Sequence, residues 1–199
     1  MLSCGNVNLS DTDDLVLALG PVARMLQSLG VRFYIGGSVA SSFHGAVRST
    51  MDVDLVCELT DADVPSLLKE LGDDYYASEP AIRDAIRRNS CFNLIHLPTS
   101  FKVDVFVSRQ RPFDLQTISR AQTGTLGLEE TLTVPIATAE DVIVIKLEWY
   151  RLGNEASERQ WDDVSRLMTL LGDTADLDYL QQASESVGVA DLLQRLCED

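Results

Sequence analysis

The chain has 199 residues, 45% of them hydrophobic and 24% charged, the balance of a globular protein with one sizeable core or a core plus a small helical lobe. No apolar run approaches the roughly 20 residues that a bilayer span requires. The acidic start over residues 1–14 also lacks the order of a signal peptide, so a cytoplasmic protein with no membrane partner is expected. A formal net charge of −15 leaves no general electrostatic footprint for nucleic acid and counts against long duplexes as partners.

Residues 11–29 read as a helix capped by Ser10 or Asp11, with Leu15, Leu19, Val22, Leu26 and Leu29 on its apolar side and Gly30 as its stop. A short strand over 32–35 leads into the turn Gly36-Gly37-Ser38, and a short helix over 39–44 ends at Gly45. Residues 51–57 alternate as a strand does: Met51, Val53 and Leu55 face one way, Asp52 and Asp54 the other. Helices are expected over 62–71 and Glu79–Arg88, the latter carrying Arg83, Arg87 and Arg88; with Lys102, Arg109 and Arg111 further on they could grip phosphates, although a solvated helix face is the plainer reading. Tyr75-Tyr76 reads as a loop or strand edge.

Residues 91–97 and Phe101–Val107 form an antiparallel hairpin about Pro98-Thr99-Ser100, with Val103, Val105 and Val107 on one face and Lys102, Asp104 and Phe106 on the other. Residues 112–121 are ambiguous, a helix and then a loop, and Leu132–Ile136 is a last short strand. Helices then follow over 138–152, 156–171, 177–184 and 189–196. This order predicts an α+β fold: a small mixed or antiparallel sheet flanked by helices over residues 1–137, and an all-α lobe over 138–199.

Chemistry is thinly supplied outside the acidic strands. Cys4, Cys57, Cys91 and Cys197 stand far apart, as reduced thiols with Cys57 and Cys91 buried in strands, and His44 and His96 are the two histidines. His44 is expected to pack near the short helix. Trp149, Tyr150 and Trp161 fit a core more readily than a base stack. Val164, Leu167, Met168 and Leu171 read as the core face of an amphipathic helix, with a docking surface as the alternative.

Three features converge. In Gly36-Gly37-Ser38 a strand runs into a glycine turn that opens a helix, where backbone N–H groups approach a phosphate closely, although such turns are common connections in themselves. Asp52 and Asp54 are two carboxylates about 7 Å apart along one face of a strand. They repel unless a cation lies between them, and magnesium suits carboxylate and phosphate oxygens. If the strand with Asp104 lies beside them, it completes a trio able to hold two metal ions.

The pattern of Gly36-Gly37-Ser38-Val39-Ala40, then Arg48-Ser49-Thr50-Met51-Asp52-Val53-Asp54-Leu55, then Asp104 resembles the DNA polymerase β-like nucleotidyltransferase superfamily. It looks most like its small bacterial members, the AbiEii toxin-like group and related uncharacterised proteins. The resemblance continues through Thr138-Ala139-Glu140-Asp141-Val142 to Lys146 and through the helix with Arg159 and Asp163, covering about residues 32–171.

It implies that Asp52, Asp54 and Asp104 hold Mg2+ (or Mn2+) and are catalytic, with Asp104 the ligand of a second metal or the general base. Gly36, Gly37 and Ser38 would bind phosphates and Lys146 would neutralise the triphosphate. Arg48 would fix the loop before the Asp strand, and Asp163 would pair with Arg159. The implied reaction moves an NMP from an NTP to an acceptor hydroxyl (of a protein, a tRNA end or a small molecule) with release of pyrophosphate. The alternative is an inactive nucleotide-binding protein of the same fold, or a toxin–antitoxin partner that binds an antitoxin-type protein.

Overall fold

Apolar side chains at every second position of two strands are buried together only when the strands share one covered face, and this requirement sets the centre of the molecule. The structure, a computed structural model, describes residues 9–47, 49–127 and 131–198. Its strands are β1 (Phe33–Ile35), β2 (Asp52–Cys57), β3 (Tyr75–Tyr76), β4 (Cys91–His96), β5 (Phe101–Val107), β6 (Gln122–Leu126) and β7 (Leu132–Ile136). They form one seven-stranded sheet in the order β3-β4-β5-β2-β1-β7-β6. β2 runs parallel to β5 and β1 parallel to β7; the other neighbours are antiparallel. The fold is α+β, a mixed sheet flanked by helices.

Val53, Leu55, Val103, Val105 and Val107 lie buried on one face of the sheet. α1 (Leu9–Ser28) crosses that face over β2, β5 and β7, driving in Leu19, Val22 and Leu26. α3 (Val64–Leu71) and α4 (Glu79–Arg88) extend the same layer. On the other side α2 (Gly37–Phe43) packs on β2 and on α6 (Ala139–Leu152). α6 in turn packs on α7 (Glu158–Leu171), α8 (Leu177–Val187) and α9 (Ala190–Glu198), while α5 (Pro112–Arg120) meets α8. One continuous apolar cluster joins the sheet to these helices.

Local chemistry sets the helix ends. The Ser78 hydroxyl accepts from Ala81 N at the start of α4, and Asn89 closes that helix in the left-handed region at φ 47°. At α6 the Asp141 amide donates to the Thr138 hydroxyl (3.2 Å), which itself donates to the Asp141 carboxylate (2.7 Å). Asp141 is fully buried and also accepts from the hydroxyls of Thr117 and Tyr179, with Arg120 Nε 3.5 Å away. The carboxylate therefore ties α5, α6 and α8 together.

Several expectations change. β6 is a strand within a polar stretch for which no element is predicted. It forms by pairing with β7, and a Cβ at Gly124 would come within 2.3 Å of the Ile136 side chain and 2.8 Å of Phe43. α5 is helical throughout. Met51 precedes β2 and is 58% exposed, so it does not share the buried face of Val53 and Leu55. Cys57 is buried as expected, whereas Cys91, at the first position of β4 on the opposite face, is exposed. α1 begins at Leu9, which puts Ser10 and Asp11 inside the helix; their capping roles, and Cys4, lie outside the described side chains. No described helix is long and apolar enough to cross a membrane.

Candidate active site

The alternation that buries the valines sends Asp52, Asp54 and Val56 of β2 and Lys102, Asp104 and Phe106 of β5 to the opposite face. The parallel register sets Asp54 directly beside Asp104 and Asp52 beside Lys102. Adjacent strands lie about 4.8 Å apart, so the acidic side chains are close neighbours. β1 delivers the glycine turn to the same edge, where the Gly36 amide donates to the Asp54 carbonyl (2.8 Å). Gly37 has φ +55°, and a Cβ there would lie 1.7 Å from Asp54 Oδ2. Only glycine fits both the left-handed backbone and the space that the carboxylate occupies.

The carboxylates have protein donors of their own. The Thr50 hydroxyl donates to Asp52 Oδ1 (2.6 Å). Lys102 Nζ lies 2.7 Å from Asp104 Oδ2, and the Asn93 amide donates to Asp104 Oδ1. Asp54 is pushed up to about 6, first by desolvation and then by Asp52 and Asp104, with Lys146 and Lys102 acting against the rise. Carboxylates this mutually repulsive form a hard oxygen donor set suited to a divalent cation. Among the described residues, however, no three His, Cys, Asp or Glu side chains converge enough to enclose a metal ion. The strands bring the trio onto one face without closing it around a point.

Over this face lies a cleft of about 850 Å³ that reaches from Gly36, Gly37 and Ser38 past the carboxylates to Phe106 and Trp149. Its opposite wall comes from α6 and α7. Lys146 and Asp163 face each other there as a buried ion pair at 2.8 Å, so the partner that holds Asp163 across the helices is Lys146. Lys146 is near enough to Asp54 to draw its pKa down. A smaller hollow of about 360 Å³ adjoins, lined by Ser49, Arg159, Asp162, Asp163 and Arg166, so that Arg159 and Asp163 border both spaces.

Of the residues expected from sequence, Gly36, Gly37, Ser38, Asp52, Asp54, Lys146 and Asp163 all line the cleft, and Asp104 stands beside Asp54 in the sheet. Arg48 lies outside the described residues. Arg83 pairs with Glu79 and Asp61, and Arg87 and Arg88 pair with Asp84, which neutralises most of the basic helix face, although Arg88 still reaches the cleft. His44 contacts the Ala137 carbonyl at 2.7 Å, well within the packing role expected of it. Tyr150 is buried, whereas Trp149 is 42% exposed and meets Phe106 edge-on. Val164 and Leu167 are fully buried, and Met168 and Leu171 pack on the core, so that stripe is a core face.

Sequence reasoning missed the partners. Asn93 was missed because the expected three-residue turn at 98–100 pairs Leu94 with Asp104; β4 ends one residue earlier, at His96, and the four-residue turn before Phe101 sets Asn93 there instead. Arg111 was legible only as a basic residue; its place is structural, joining Asp114 on its own helix turn to Glu148 on α6, at 2.8 and 2.6 Å. Cys91 lines the cleft; exposed overall, its thiol is still partly desolvated, and that together with Asp104 and Asp54 pushes it up to about 11, which keeps it protonated at neutral pH.

No protein-family model matches the chain, and no curated protein does. Solved structures do. An antigenic nucleotidyltransferase-like protein from Paracoccidioides brasiliensis aligns at TM-score 0.54 and 22% identity, over 92% of this chain and 89% of that one. The antibiotic-resistance factor ANT(2'')-Ia in solution aligns at 0.56 and 12%, over 94% and 100%. The same factor in complex with adenylyl-2''-tobramycin aligns at 0.50 and 13%, over 86% and 95%. At identities this low the likeness is one of fold: the chain is built on the nucleotidyltransferase-like fold.

Proposed function

We propose that this cleft transfers a nucleoside monophosphate from an NTP to an acceptor hydroxyl. The observation that carries the reading is the placing of Asp54 and Asp104 side by side under the Gly36-Gly37 turn, with the Asp54 carboxylate in the space a Cβ at Gly37 would need. A magnesium or manganese ion at these carboxylates would supply charge neutralisation on the phosphates. Asp52, Asp54 and Asp104 are the residues offered to it. Gly36, Gly37 and Ser38 present the turn to the phosphate tail. Lys146, held by Asp163, adds a positive charge beside it.

In the reaction the acceptor oxygen forms a bond to the α-phosphorus as the bond to the bridging oxygen breaks and pyrophosphate leaves. The hydroxyl proton passes to Asp104 and on to solvent. Positioning and electrostatics contribute most of the acceleration. The acceptor we favour is a small molecule, since the chain spans nearly the whole of a fold neighbour that was solved with an adenylylated aminoglycoside. A tRNA end or a protein hydroxyl would be read out by the same experiment.

Wild type and the Asp52→Ala/Asp54→Ala variant would be incubated with magnesium, each α-labelled NTP, total RNA and cell lysate. Label entering one acceptor class with wild type alone supports the proposal and names that class. Magnesium-dependent nucleotide binding without transfer would favour a nucleotide-binding protein that does not turn over. Absence of both would refute the nucleotide reading.

A further inference from the structure

The carboxylate face already holds a cation of the protein's own. Lys102 Nζ sits 2.7 Å from Asp104 Oδ2 and 3.9 Å from Asp52 Oδ2. Strand register puts it there, because Lys102 stands beside Asp52 across β2 and β5 and shares its face with Asp104. The other oxygen of Asp104 accepts from Asn93, so both of its oxygens face protein donors. Asp54 differs: burial first, and then the charges of Asp52 and Asp104, act on its carboxyl. Lysine is well suited to this post, being a compact point charge with three donors on a flexible stem.

We propose that Lys102 is the second cation of this site. It holds Asp104 and the near edge of Asp52 in place of a second divalent ion, so that of the three carboxylates named above only Asp52 and Asp54 ligate the protein's single metal ion, with the nucleotide. The proposal rests on the nucleotidyltransferase reading and deepens it.

Charge balance supports it. Counted over the carboxylates alone, without the nucleotide, one ammonium among three leaves two negative charges, which one divalent ion neutralises. Without the lysine, one divalent ion leaves a negative charge uncompensated beside Asp104, and a second ion is drawn in. The same placement explains why three carboxylates on one face do not converge on a point.

Manganese would be titrated into protein saturated with a non-hydrolysable α,β-methylene NTP, and bound ions counted by electron paramagnetic resonance against a nucleotide-only blank. Wild type and Lys102→Arg should bind one ion per chain and Lys102→Met two, returning to one in Lys102→Met/Asp104→Asn. Lys102→Gln, uncharged but still a donor, should behave as Lys102→Met does and serves where the methionine variant folds poorly. In thermal unfolding, manganese should raise the midpoint of Lys102→Met more than that of wild type. Two ions on wild type, or one on both uncharged variants, would overturn the proposal and leave the transferase reading standing. Failure of every protein to bind an ion would overturn both.

Discussion

Replacing Asp54 by Asn should make the metal-free protein more stable at neutral pH. The Asp54 carboxyl is held at about 6 in the folded protein, against 3.8 for an ordinary aspartate, by desolvation first and then by Asp52 and Asp104. A raised acid pKa means that the folded state binds the proton more tightly than the unfolded chain does. Stability from this group is therefore greatest below about 3.8, falls as pH rises through the window to about 6, and stays low above it. At 1.36 kcal/mol per tenfold change, the ionised carboxylate costs the folded state about 3 kcal/mol. An Asn of the same shape removes that cost and offers its amide to Asp52 and Asp104.

The assay is thermal unfolding in chelator at pH 8 and at pH 4. At about 2–4 °C per kcal/mol for a chain of this size, the midpoint should rise by roughly 6–12 °C at pH 8 and hardly at all near pH 4. With manganese and nucleotide present the order should reverse, since the variant has lost a ligand. An unchanged or lowered midpoint at pH 8, or the same shift at both pH values, would refute the claim that Asp54 is a strained carboxylate.

Gly37→Ala should abolish nucleotide transfer while the far-ultraviolet dichroism persists, because its Cβ would displace the Asp54 carboxylate and its φ of +55° costs about 1 kcal/mol besides. Lys146→Met and Asp163→Asn should each lower urea stability by about 3–5 kcal/mol, because either breaks a buried ion pair. The pair replaced together should cost much less than the sum of the single changes, as a double-mutant cycle would show. Asp141→Ala should cost a similar 3–5 kcal/mol and loosen α5 and α8, because the buried hydroxyls of Thr117, Thr138 and Tyr179 lose their common acceptor. Protease cleavage near α5 would report it.

The sequence by itself determined the pieces whose physics is local. Alternation in Asp52–Cys57 and Phe101–Val107 marks both strands and the sides of their acids. Ser78, Pro80 and Asn89 bound α4 at the predicted residues, because a cap, a proline in the first turn and a left-handed residue act within a few positions of the chain. The hairpin about residues 98–100 was legible as well, but its register is one residue off the expected one, since β4 ends at His96, and this shift brings Asn93 opposite Asp104. What only the tertiary structure decided is non-local. The parallel contact of β2 with β5, separated in the chain by α3, β3, α4 and β4, turns two acidic strands into one site. β6 is a strand because β7 lies beside it, since its own polar, glycine-containing residues carry no preference strong enough to show. Lys102 on Asp104, Lys146 on Asp163 and Arg111 on Glu148 likewise follow from which elements face each other across the cleft. Charge pairing is read off distances in space, and a linear chain does not contain those distances until it has folded.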